Sequence, residues 1–141
     1  MAHSLPGQRV RRLRSLIDGT LMVVVELGSR VRSQPAPAHV VWQSLTRPPD
    51  PAARPWLELL DDEIDPKVID SVEPTLVLWS SLWPDRPDET IRFDIQPSGQ
   101  GCRVRWTLLT AGPAPTDGKL GHIRFRLNVL INERLRRSYG Q

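Results

Sequence analysis

Two alternating runs late in the chain limit the fold more than any other feature. In Thr90–Gln96, Ile91, Phe93 and Ile95 alternate with Arg92 and Asp94. In Cys102–Leu109, Cys102, Val104, Trp106 and Leu108 alternate with Arg103, Arg105 and Thr107. A period of two buries one set of side chains and leaves the other in water. Pro97-Ser98-Gly99-Gln100 supplies turn residues between the runs. A four-residue loop there predicts Ile95 opposite Cys102, Phe93 opposite Val104, Ile91 opposite Trp106, and Asp94 opposite Arg103 on the wet face. A slip of one residue would mix the faces, so pattern and loop length agree on an antiparallel hairpin.

The end of the chain supplies the second limit. From Lys119 to Ser138, Leu120, Ile123, Leu127, Leu130, Ile131 and Leu135 fall in an arc of about 140° on a helical wheel. That is the stripe of one long helix lying on a sheet. Thr116 or Asp117 can cap its start, and Arg136 and Arg137 suit its negative end.

Upstream, Leu21–Arg32 is rich in valine and reads as a strand. Ala38–Thr46 reads as a short helix with Val41, Trp42 and Leu45 on one face. Pro48, Pro49, Pro51 and Pro55 make a stiff loop. Trp56–Leu60, Lys67–Val72 and Thr75–Trp83 are further strand candidates. The links are mostly too short for parallel crossovers, which favours an antiparallel sheet covered on one face by the last helix. The 141 residues suit one domain. Residues 1–19 read as a basic leader, flexible or loosely docked, and 20–141 as the domain itself. Val10, Leu13 and Ile17 share helical spacing, so Gln8–Ile17 offers a short amphipathic helix.

Charge and cysteine usage narrow the function. The net charge is +3, and Arg9, Arg11, Arg12 and Arg14 against Asp18 account for all of it. The rest of the chain is balanced, which argues against nucleic-acid binding by the folded body. No window reaches 18 apolar residues, so no helical membrane span is expected. Leu21–Val25 is too short for a signal peptide, and Glu26 ends it. Cys102 stands alone, which leaves no intrachain disulfide and suits a reducing cytoplasm. The preference for arginine over lysine hints at a bacterial source with a GC-rich genome.

Few constellations carry chemistry. Asp61-Asp62-Glu63-Ile64-Asp65 has magnesium-binding spacing, but Pro66 follows and strands flank it, so a solvated acidic turn is expected. His3, His39 and His122 are scattered, and no pair has metal-ligand spacing. His122 lies opposite the apolar stripe. Trp42, Trp56, Trp79, Trp83 and Trp106 serve core packing or an aromatic cavity wall. Arg134 falls inside the apolar arc, where it must snorkel, find an acid, or meet a carboxylate or phosphate head group at a cavity edge. Thr75–Trp83 is apolar on both parities, with Leu76, Leu78 and Leu82 on one and Val77, Trp79 and Trp83 on the other. One helix cannot cover both faces, so the outer one offers a homodimer contact.

The layout from Leu21 to Tyr139 resembles the START-like, or SRPBCC, superfamily of lipid-transfer and polyketide cyclase domains. The matching features are Pro37-Ala38 leading into Val41-Trp42-Gln43-Ser44-Leu45-Thr46, the Thr75-Leu76-Val77-Leu78-Trp79 run, the two alternating strands and the closing helix from Lys119. The resemblance implies an α+β helix-grip fold, in which a curved antiparallel sheet wraps the long C-terminal helix around a cavity. It implies binding of a small apolar molecule, lipid- or polyketide-like, without a cofactor. On that basis Phe93, Trp106, Ile123 and Leu127 line the cavity, with Arg134 at its edge. No catalytic motif of the enzymatic branches matches position by position, so no catalytic residue is assigned. A cyclase- or aromatase-like enzyme and a homodimerising interaction domain are the alternatives.

Overall fold

A computed structural model describes residues 11–17, 20–47 and 55–140, with side chains from Val23 onward. The strands are β1 (Arg11–Ile17), β2 (Thr20–Gln34), β3 (Val68–Val72), β4 (Leu76–Ser80), β5 (Glu89–Ser98) and β6 (Gly101–Thr110). They form one curved six-stranded sheet in the order β1-β2-β6-β5-β4-β3, with every neighbouring pair antiparallel. Helix α1 (Ala38–Thr46) follows β2. The terminal helix is continuous over 22 residues. It consists of α2 (Asp117–Leu127), a π-helical segment (Asn128–Leu135) and a last turn, α3 (Arg136–Ser138). This is the α+β helix-grip arrangement expected from the sequence.

The hairpin keeps the expected faces but not the expected register. Ile95 pairs with Val104, Phe93 with Trp106, Ile91 with Leu108 and Asp94 with Arg105. Each partner is thus two residues further along than the four-residue loop predicted. Ser98 pairs with Gly101, which leaves only Gly99-Gln100 as the loop. Gly99 adopts φ +59°, a left-handed conformation that lets so short a turn close. A slip of two preserves side-chain parity, so Phe93 and Trp106 remain buried while Arg92 and Arg105 face water. Gly101 is required for another reason: a Cβ there would collide with the Gln34 carbonyl of β2.

The terminal helix lays its stripe on the concave face as its spacing dictates. Leu120, Ile123, Leu127, Leu130, Ile131 and Leu135 are all buried. Thr116 Oγ1 caps the start by accepting from the Lys119 N–H at 3.3 Å. Val41 and Leu45 of α1 join the same core as Val77, Trp79, Phe93, Val104 and Trp106. Trp79 is anchored by an N–H bond to the Leu45 carbonyl at 2.8 Å and an edge-to-face contact with Phe93.

Three local expectations are corrected. Trp56–Leu60 is turn and coil, not strand; Trp56 instead stacks on Trp79 with ring centroids 6.3 Å apart. β4 ends at Ser80, and the chain beyond it folds inward, so Leu82 and Trp83 are fully buried. Trp79 and Trp83 each expose 0% of their surface within one chain, so neither is free to meet a second copy. The stretch Arg11–Ile17 is a strand paired with β2 rather than part of a helix. Residues 1–10 of the leader lie outside the described residues.

Candidate functional site

β2 brings polar side chains to the concave face, and a β-bulge is the cause. Its register against β6 shifts between Glu26 and Gly28, so one extra residue is accommodated there. An unbroken strand would turn Leu27, Ser29, Val31 and Ser33 inward. After the bulge, Gly28, Arg30, Arg32 and Gln34 instead stand opposite Leu108, Trp106, Val104 and Cys102. Residues directly opposed in an antiparallel pair share a face, so Arg30 and Arg32 share the face of Trp106 and Val104. Val31 is displaced to the convex side, where it lines a shallow depression with Arg103 and Arg105.

Across from these arginines lies the π-helical segment. Between the two runs an open groove of about 330 Å³, lined by Arg30, Val31, Arg32, Asn128, Asn132 and Glu133. It continues past Arg32, Asn132 and Glu133 to Arg136 and Arg137. π-Helical turns are rare, and they concentrate at functional sites. Gln34 ties β2 to this segment through an Nε2–H bond to the Ile131 carbonyl at 3.0 Å.

The groove has a hydrogen-bonded floor whose atoms can be assigned. The Trp106 indole N–H donates to Asn128 Oδ1 at 3.1 Å, and Asn132 Nδ2 donates to the same oxygen at 2.9 Å. An indole N–H only donates, so the Asn128 atom facing it must be oxygen. The Asn132 atom facing that oxygen must then be its NH₂. Asn132 Oδ1 is left over, buried and without a hydrogen-bond partner. Such an acceptor normally has one.

The opposite flank of the terminal helix is closed. Arg126 donates through Nε to Glu63 Oε2 and through Nη2 to Glu63 Oε1, both at 2.8 Å, and also reaches the Glu58 carbonyl at 2.9 Å. Burial alone would raise the Glu63 carboxyl, but hydrogen bonds from Arg126 and the Leu60 N–H outweigh it and hold it below its ordinary value. The acidic turn is therefore solvated at Asp61, Asp62 and Asp65, while Glu63 belongs to the core's edge. Asp62, Glu63 and His122 come within 4.8 Å of one another, but both Glu63 oxygens are already committed to Arg126.

The site residues expected from the sequence divide into two groups. Phe93, Ile123 and Leu127 expose 0% and Trp106 1%, all within one core cluster, so in this conformation they touch essentially no water-sized space. Trp106 alone connects that core to the groove, through its N–H. Arg134 lies elsewhere and pairs with Glu58 at 3.1 Å, which is the acid its place in the arc demanded. Arg30, Arg32, Asn128 and Asn132 were not singled out in the sequence. Cys102 is free and buried, and burial pushes its thiol up to about 11, so it is unsuited to nucleophilic chemistry.

Fold and groove together define a small α+β domain of the helix-grip kind. It is similar to the crystal structure of CalU16 from Micromonospora echinospora, at 16% identity over 89% of this chain and 83% of that one, with a TM-score of 0.55. The solution structure of CalU16 gives 0.53 at the same identity, over 89% and 72%. The solution structure of the Aha1 dimer from Colwellia psychrerythraea gives 0.57 at 16% identity, over 77% of this chain and 91% of that one. These likenesses are likenesses of fold. No family model and no curated protein matches the chain. Among the described residues, no helix is long and apolar enough to cross a membrane.

Proposed function

We propose that this chain is a small-molecule-binding domain that holds one largely apolar ligand, lipid- or polyketide-like, between the concave sheet and the terminal helix. The observation that carries this reading is the buried, unpartnered Asn132 Oδ1 beside a groove of about 330 Å³. Keeping such an acceptor desolvated without a donor costs about 1–3 kcal/mol, which a ligand's donor would recover. The ligand's polar end occupies the groove. Its apolar body enters beside Trp106, against Phe93, Ile123 and Leu127, as the π-helical segment shifts. Arg134 is already paired, so the groove arginines take the edge role expected of it. A free, buried Cys102 suits a reducing compartment such as the cytoplasm.

The test uses a neutral probe, so that charge plays no part. Nile red should bind the purified protein saturably at one site, quench its tryptophan fluorescence, and be displaced by 1-decanol. Failure of both Nile red and 1-decanol to bind would overturn the reading.

Self-association is a second reading, favoured by the β3 edge. β3 ends the sheet, and its Val68, Ile69 and Val72 are exposed. One similar structure is described as a dimer. Sedimentation of the wild type and of Val72→Lys tests it: a dimer that the substitution dissociates supports it, and a monomer at all concentrations removes it.

A further inference from the structure

The groove's charges have no counterpart of their own. Arg30, Arg32, Arg136 and Arg137 line it against one acid, Glu133. Arg136 is engaged, its Nε donating to the Ser33 carbonyl at 3.2 Å. Among the described residues, Arg30, Arg32 and Arg137 have neither an ion-pair nor a hydrogen-bond partner. Four other arginines pair with acids, Arg126 with Glu63, Arg134 with Glu58, Arg86 with Glu89 and Arg92 with Asp94, while among the described residues Arg103 and Arg105 on the convex face do not. The bulge spends two inward positions of β2 on arginine, beside a site where an apolar pair could have packed. Guanidinium groups hold carboxylates and phosphates through paired N–H donors. The floor adds a second feature, because Asn132 Oδ1 is a buried acceptor without a partner and suits a donor on the ligand.

We infer that the ligand is an organic anion that also bears a hydroxyl: its carboxylate or phosphate is held by Arg30 and Arg32, and its hydroxyl donates to Asn132 Oδ1. This rests on the small-molecule reading above and specifies the chemistry of the same site. The anion neutralises the unpaired charge, and the hydroxyl satisfies the floor that Trp106 fixes in orientation.

Competition against bound Nile red tests the inference with 1-decanol, decanoate, 3-hydroxydecanoate and decyl phosphate. At low salt, decanoate or decyl phosphate should compete at least tenfold better than 1-decanol, and the better of the two identifies the head group. 3-Hydroxydecanoate should exceed decanoate several-fold. Arg30→Gln/Arg32→Gln should remove the preference for the anion over 1-decanol without lowering the melting temperature. Equal competition by decanol and the anions, or a preference that survives the double substitution, would overturn the anion subsite while leaving the binding domain standing. No gain from the hydroxyl would overturn the role of Asn132. If Nile red and decanol both fail to bind, the binding domain itself is wrong.

Discussion

The two flanks of the terminal helix use the same residue type to opposite ends. Toward the 55–66 segment, Arg126 is buried against Glu63, with Nε and Nη2 both engaged. Toward β2, Arg30 and Arg32 are exposed beside a groove and have no acid among the described residues. The first flank seals the helix to the body. The second leaves charge unspent at the point where the helix departs from α geometry. An arginine therefore tells little by its presence; its partner decides whether it is structural or available.

Breaking the closed flank should produce the largest effect. Arg126→Met leaves Glu63 buried without its cation and should cost about 3–5 kcal/mol of stability by denaturant titration. Adding Glu63→Leu should restore most of it, because an apolar pair of similar volume is often as good. A loss below about 1 kcal/mol in the single variant would show that the pair is not sealed.

The pH dependence sharpens the contrast further. Glu63 is held below its ordinary value of 4.5, so its contribution is complete above that pH and lost as pH falls through the lowered folded value. Glu89 behaves oppositely: burial raises its carboxyl despite Arg86, so its contribution is present below 4.5 and lost as pH rises through the raised folded value. Glu63→Gln should flatten the acid side of the stability curve. Glu89→Gln should gain on the wild type as pH rises. Parallel curves for both variants would contradict these assignments.

Smaller effects belong to the groove. Trp106→Phe keeps an aromatic ring in the core but removes the N–H that orients Asn128, and should cost about 1 kcal/mol by thermal melting. A loss of 3 kcal/mol or more would mean that the indole matters as packing rather than as a donor. Arg30→Gln/Arg32→Gln should change stability by less than about 0.5 kcal/mol, as for surface positions without partners. A larger loss would place those arginines on the structural side of the comparison.

The parts of the fold governed by local periodicity were legible in the sequence. Ile91, Phe93 and Ile95, with Val104, Trp106 and Leu108, announced a one-sided hairpin, and the stripe from Leu120 to Leu135 announced the covering helix. The exact register was not, because a two-residue slip leaves the hydrophobic pattern unchanged and only the Gly99 conformation selects the shorter loop. Trp56–Leu60 looked like a strand because a short apolar run does not reveal whether it will pair or stack. The groove was the least legible part. Val23, Val25, Leu27 and Val31 suggest one continuous parity, whereas the bulge reverses it. Continued unbroken, that parity would put Arg30 and Arg32 on the outer face. Glu63 was hidden among exposed acids, since nothing local signals that Arg126 will reach it.

That bulge makes the chemistry of the groove a matter of counting. One inserted residue in β2 acts as a phase switch, and everything beyond Leu27 changes sides with it. Taking Leu27 up into a regular ladder would carry Arg30 and Arg32 to the convex surface and bring Val31 beneath the helix, whereas deleting Leu27 would leave both arginines opposite Trp106 and Val104. Which side those charges take is thus decided by how the ladder houses one extra residue, and not by the composition of the strand.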